Sequence, residues 1–254
     1  MQLEQTLRKR LENRDILLMT HIVLGYPSFE ANREVIRQMV ENGVDCIEMQ
    51  IPFSEPMADG PVILKANQDS LAAGTTVAQC MEFAEEMSAL YDIPFLFMTY
   101  YNIIFKYGEE PFFAKAKEAG IQGLIVPDLP IEMGEEFYAQ ARKTGVTPIQ
   151  LFAPTSTTSR MAQLTDHAEG FVYCIARRGV TGKKSEFDTD FNEYLDRCRA
   201  ATDLPLAVGF GIQSREDIQT LTGKAEIAVI GSATIRLVDS DGTEAVGPFI
   251  RSLR

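Results

Sequence analysis

IEMQIPFSEPMADGP, residues 47–61, takes an apolar run and turns it into a loop. The run Val44-Asp45-Cys46-Ile47-Glu48-Met49-Gln50-Ile51 is short and rich in β-branched residues, so it reads as a buried strand. Pro52, Pro56, Gly60 and Pro61 then end the strand and force an irregular loop. Glu48 closes the apolar part of the run, and Asp59 follows on the loop. A carboxylate on a buried strand is costly unless it is partnered or used. Two of them on one strand and its loop are an arrangement suited to acid–base chemistry.

Outward from this stretch, apolar strand candidates recur at 17–23, 93–99, 121–126, 146–152, 170–175, 204–208 and 226–230. Amphipathic segments lie between them at 28–42, 76–90, 109–119, 131–143, 158–165, 189–201 and 214–222. Helix starts carry capping chemistry: Ser28 before Phe29-Glu30, Thr189-Asp190 at the sixth helix, and Ser214 before Arg215-Glu216-Asp217. Eight strands alternating with helices imply parallel βαβ units and an α/β fold. The number of strands favours a single closed (β/α)8 barrel, preceded by an extra helix in the charged amphipathic N-terminal segment. With 254 residues and 45% hydrophobic content the chain can bury one such core, so residues 1–254 are expected to form a single domain.

A formal charge of -12 argues against a nucleic-acid or anionic-membrane surface. A small phosphorylated substrate is compatible with it, because backbone N–H groups bind phosphate without a basic surface. Cys46, Cys80, Cys174 and Cys198 show neither a C-x-x-C pair nor a metal-ligand spacing. Cys46 and Cys174 lie in strand-like runs, where an inert buried thiol suits a reducing cytoplasm. The N-terminal segment lacks the apolar core of a signal peptide, and no run has the length of a membrane span.

Glycines fall after the last three strands, in Gly179-Val180-Thr181-Gly182, Gly209-Phe210-Gly211 and Gly231-Ser232. Barrels commonly hold phosphate at the loops after strands seven and eight, against a short helix, and glycine lets the backbone come close. Ser232 is placed to cap that helix, to bind the phosphate, or both. Tyr173 shares a face with Phe171 on the sixth strand and carries a hydroxyl that needs a partner when buried. Tyr100-Tyr101-Asn102 and Pro127-Asp128-Leu129-Pro130 fall at the same end of the barrel. They line the mouth, shape a loop or meet a partner, and the residues alone leave these three open. Arg177, Arg178, Lys183 and Lys184 make either a solvated charged loop or a lid attractive to an anion.

The segments LGYP (24–27), EMQIPFSEPMADGP (48–61), LAAGTT (71–76), GLIVPDLPIE (123–132), GFVYCIARRGVTG (170–182), VGFGI (208–212) and IGSA (230–233) carry a resemblance. The chain resembles the tryptophan synthase α-subunit family over nearly its whole length. The resemblance implies a TIM-barrel lyase that cleaves indole-3-glycerol phosphate to indole and glyceraldehyde 3-phosphate without metal or organic cofactor. It also implies a tryptophan synthase β subunit as partner, in an α2β2 complex. By the same resemblance Glu48 matches the proton-exchanging glutamate, and Asp59 the aspartate at the indole N–H. Tyr173 matches an active-site tyrosine, and Gly182, Gly211, Gly231 and Ser232 match phosphate-binding positions. Tyr100, Thr181, Phe210, His21 and Gln50 complete the candidate substrate contacts.

The chain departs from the family pattern at four places. Gln50 stands where the pattern has glycine, and His21 where it has an apolar aromatic. Ala176 replaces a small polar residue, and Glu55 an aspartate on the β-facing loop. Two polar groups beside an indole ring are costly unless satisfied, so altered ring recognition is the alternative expectation. Another alternative is a weakly catalytic subunit acting through its β partner, with loop 52–60, Tyr100–Asn102, Ile103–Phe105 and Asp128–Pro130 as the docking face.

Overall fold

The computed structural model describes residues 2–176, 184–209 and 211–254, with the backbone alone over 184–189. Helix α1 (Gln2–Leu11) precedes β1 (Leu17–Val23), and α2 (Phe29–Glu41) leads to β2 (Cys46–Gln50). Two helices, α3 (Pro61–Ala72) and α4 (Val77–Leu90), separate β2 from β3 (Phe95–Met98). Another two, α5 (Tyr101–Tyr107) and α6 (Glu109–Glu118), precede β4 (Gly123–Ile125). A 3-10 turn (Ile131–Met133) and α7 (Glu135–Thr144) lead to β5 (Thr147–Phe152), and α8 (Thr158–Thr165) leads to β6 (Val172–Ile175). After α9 (Lys184–Ala201) come β7 (Leu206–Gly209), α10 (Arg215–Leu221) and β8 (Ile227–Ile230). Helix α11 (Ser232–Asp241), a second 3-10 turn (Thr243–Ala245) and α12 (Val246–Ser252) follow.

The strands pair in parallel in chain order, and β8 returns to β1 to close the barrel. Alternation along each strand makes two layers. Leu17, Met19, Cys46, Leu96, Met98 and Ile125 belong to a cluster that fills the barrel, with Leu3 and Leu7 of α1 packed into it. Leu18, Ile22, Ile47, Met49, Phe95 and Phe97 belong to the layer between strands and helices. The same alternation sends His21, Glu48, Gln50 and Tyr173 inward, above the apolar filling.

Local chemistry sets several helix starts. The Ser28 hydroxyl accepts from the Ala31 N–H at 3.2 Å, and Ser214 and Asp217 form a reciprocal capping box. The expected start of the sixth helix at Thr189-Asp190 is corrected: α9 begins at Lys184 and runs through both residues. Thr and Asp in a helix interior cost only a few tenths of a kcal/mol, roughly, and do not stop a helix whose neighbours favour it. The segment 131–143 is divided at Gly134 into a 3-10 turn and α7. Three helices were not expected, namely α3, α5 and α12, whereas α11 is the helix expected at Ser232. Helix α3 starts with Pro61 in its first turn, where the missing N–H is no loss. Among the described residues no helix is long and apolar enough to cross a membrane. The four cysteines are free and buried.

Candidate active site at the barrel mouth

Glu48 is the third of five residues in β2 rather than its last, and His21 is the fifth of seven in β1. Parallel pairing sets them directly opposite one another. Their side chains and those of Asp59 and Tyr173 line a cavity of about 180 Å³ at the barrel mouth. Gly211, Gly231 and Ser232 line the same cavity from the turns after β7 and β8. Met98, Ile125, Leu151, Ile175 and Val229 give it apolar walls.

The polar groups are held in two pairs. His21 Nδ1 lies 3.1 Å from Glu48 Oε1, and both side chains are nearly inaccessible to solvent. The Gln50 amide donates to Asp59 Oδ2 at 2.7 Å, and the Tyr100 hydroxyl donates to the same oxygen at 3.3 Å. Tyr100 in turn accepts from the Ala58 N–H, and its ring stacks on Phe53 at 4.9 Å between centroids. The loop carrying Asp59 is thereby tied to β2 and to the end of β3. Gln50 and Tyr100 do not line the cavity; they stand behind Asp59 and fix it.

Burial leads the electrostatics. It pushes the Asp59 carboxyl above the ordinary aspartate range, although His21, Gln50 and Tyr100 all act to hold it down. Burial and the two neighbouring carboxylates push the Tyr173 hydroxyl well up, so it stays protonated and able to donate. Burial disfavours a charged His21, but the charge and hydrogen bond of Glu48, aided by Asp59 and Gln50, outweigh it and raise the imidazole above its ordinary value. Among the described residues no group of three His, Cys, Asp or Glu side chains gathers to hold a metal ion.

At the far wall, Gly231 occupies the N-cap position of α11 and makes no side-chain capping bond. Ser232 therefore opens the helix rather than capping it, and the first N–H groups of α11 have no side-chain acceptor at the cap. Gly211 has φ +86°, in the left-handed region that favours glycine, and among the described residues beyond its chain neighbours no heavy atom lies within 4 Å of where a Cβ would stand. Thr181, Gly182 and Phe210 lie outside the described residues, as do Arg177, Arg178 and Lys183. Sequence reading missed Ile63 of α3, which lines the cavity. The signal was the Gly60-Pro61 pair, a helix-opening dipeptide that reads equally well as a turn.

A family model described as Tryptophan synthase alpha chain matches residues 7–247. The chain belongs to the tryptophan synthase alpha chain family. A Tryptophan synthase alpha chain from Desulfotalea psychrophila is 69% identical over 254 residues, covering 100% of both chains. One from Syntrophotalea carbinolica is 56% identical, over 99% of this chain and 100% of its own. A tryptophan synthase complex structure from Pyrococcus furiosus superposes with a TM-score of 0.86 at 29% identity. That superposition covers 93% of this chain and 97% of the other. Within this family match, both carboxylates and the β8–α11 turn fall inside the matched span.

Proposed function

We propose that this member of the tryptophan synthase alpha chain family cleaves indole-3-glycerol phosphate to indole and glyceraldehyde 3-phosphate, with Glu48 and Asp59 as its catalytic carboxylates. The observation that carries this reading is Glu48 Oε2, a buried oxygen without a hydrogen-bond partner among the described residues, on a residue lining the same cavity as Asp59 and the start of α11. Cleaving the carbon–carbon bond requires a proton on the ring carbon and removal of one from the adjacent alcohol. A single carboxyl group that changes state serves both. Asp59, held from behind by Gln50 and Tyr100, is the fixed anion for the ring N–H, and it steadies positive charge that grows in the transition state. The apolar walls suit an indole ring. The start of α11, with Gly211, Gly231 and Ser232, suits the phosphate, to which Gly182 adds by its family position. Tyr173 is the hydroxyl donor facing the substrate, and Thr181 and Phe210 complete its contacts.

The proposal takes the whole chain as one domain in the cytoplasm, where four free buried thiols persist. It also assigns a tryptophan synthase β subunit as partner in an α2β2 assembly. Met57, Phe105 and Met133 are 87%, 66% and 74% exposed on segments after β2, β3 and β4, large apolar side chains of the kind a partner covers. The test is turnover of indole-3-glycerol phosphate by the purified chain, alone and with a β subunit. Indole release that rises with the β subunit and vanishes in Glu48→Gln is expected. A Glu48→Gln variant that retains most activity would overturn the assignment.

A further inference from the structure

His21 and Glu48 are register partners on β1 and β2, and both point into the barrel at the same level. Nδ1 of one lies 3.1 Å from Oε1 of the other. The second polar atom of each, His21 Nε2 and Glu48 Oε2, is buried without a hydrogen-bond partner among the described residues, and both residues line the cavity. Unpaired buried polar atoms cost free energy, so two of them at one hollow mark a site completed by a ligand.

We infer that His21 is a positioning residue of the lyase reaction: its Nδ1–H holds Glu48 Oε1, which leaves Oε2 as the oxygen that exchanges protons with the substrate. This rests on the proposed lyase reading and deepens it. The terminal torsion of a glutamate is broad and nearly two-fold, so an untethered carboxylate presents either oxygen. A donor fixed on one oxygen selects a single orientation, and proton transfer between two neighbouring substrate atoms depends on such alignment. Neutral or charged, the imidazole keeps the Nδ1 proton on Glu48. Its Nε2 is left for a substrate hydroxyl, as acceptor when neutral and as donor when charged.

The groups facing His21 are few. Glu48 and Gln50 come from β2, Asp59 from the loop beyond, and Tyr173 from β6 across the cavity. Among the described residues Val229 of β8, Gly231 after it, Ser232 and Thr234 of α11 and Ile63 of α3 bring no charge to this side, and Thr234 donates its hydroxyl to the His21 carbonyl. The folded chain raises the His21 pKa above 6.5, so the stability held in the charged pair is fully present below that value. It is lost as pH rises through the folded value.

The chain has two histidines, so imidazole NMR titration of the substrate-free protein reads His21 directly, with His167→Asn assigning the other signal. His21 is expected to titrate above the ordinary histidine value, and to fall in Glu48→Gln. In turnover, His21→Phe is expected to lower kcat about tenfold with KM within about twofold, since a hydrogen bond to a charged group is lost. His21→Asn, whose amide N–H also reaches a carboxylate, recovers most of it. A His21 titration indifferent to Glu48→Gln, or an unchanged kcat in His21→Phe, overturns the inference. Absence of wild-type cleavage would instead sink the lyase reading, because the titration needs no turnover.

Discussion

Asp45 immediately precedes β2 and Glu48 is the third residue of that strand; both are buried, and the fold surrounds them in opposite ways. At the barrel floor, Asp45 has no side-chain exposure and meets three arginines: Arg14 at 2.8 Å, Arg10 at 3.9 Å and Arg254. Its Oδ2 also accepts from the Leu18 N–H at 2.9 Å. Arg10 is in the last turn of α1, Arg14 follows that helix and Arg254 lies beyond α12, so this one carboxylate ties α1 and the segment after α12 to β1 and β2. At the mouth, Glu48 meets a single base among the described residues, His21, and keeps one oxygen unpaired. A buried charge with surplus partners is a fastener. One with a deliberate vacancy is held ready for a proton.

The largest effect expected from breaking this contrast is at the mouth. Glu48→Gln keeps the shape and removes the exchangeable proton, so turnover of indole-3-glycerol phosphate falls about 10³-fold while the thermal midpoint hardly moves. Steady-state kinetics beside a melting curve read both. A large stability loss with modest kinetic loss would put Glu48 in the same class as Asp45. The reciprocal variant, Asp45→Ala, is expected to cost about 3 kcal/mol of unfolding free energy, because breaking a buried pair leaves its partners uncompensated. The arginines keep partial access to water, which places the cost at the lower end of that range. Urea denaturation measures it, and kcat of the folded fraction should stay within about twofold, since no substrate-facing atom changes.

Much of this contrast was legible before any coordinates. Period-two alternation in Cys46–Gln50 puts Glu48 and Gln50 on one face, and the loop prolines locate Asp59 beyond the strand, whereas nothing in the sequence marks Asp45 as the partner of three arginines. What could not be read was partnership across strands. The register that sets His21 opposite Glu48 follows from the stagger of a closed barrel, a property of all eight strands together. Hence His21 was expected beside a substrate ring, and its nearest polar neighbour is Glu48. Gln50 was expected at the ring too, and its amide is spent on Asp59. The polar cost that suggested altered ring recognition is thus met within the protein for the Gln50 amide nitrogen and for one ring nitrogen of His21, while the Gln50 amide oxygen and His21 Nε2 are buried without a hydrogen-bond partner among the described residues. The extra helices escaped because α5 and α12 have only 7 residues each, too short for a clear 3.6-residue period.

Smaller effects sharpen the second pair. Gln50→Gly removes the 2.7 Å bond to Asp59 but leaves the Tyr100 hydroxyl in place. Turnover should fall about five- to tenfold, the cost of one charge-assisted hydrogen bond partly covered by another. Pairing this variant with Tyr100→Phe in a double-mutant cycle should give losses that do not add, because both donors serve one oxygen. Additive losses would mean that the two residues act on separate groups.

The gentlest probe is the pH dependence of stability around Asp59. Burial raises its carboxyl above the ordinary 3.8, so the fold favours the protonated form; stability falls as pH rises from that ordinary value to the folded one, and the full cost of ionising the carboxyl remains at every higher pH. Asp59→Asn removes that draw while its amide oxygen can still accept from Gln50 and Tyr100. The variant should therefore be more stable than the parent at neutral pH, though inactive, and the two melting curves should converge as pH falls below the ordinary carboxylate range. The opposite ordering at neutral pH would mean that Asp59, like Asp45, contributes to the fold through its charge. The contrast between Asp45 and Glu48 would then no longer extend to the loop beyond β2.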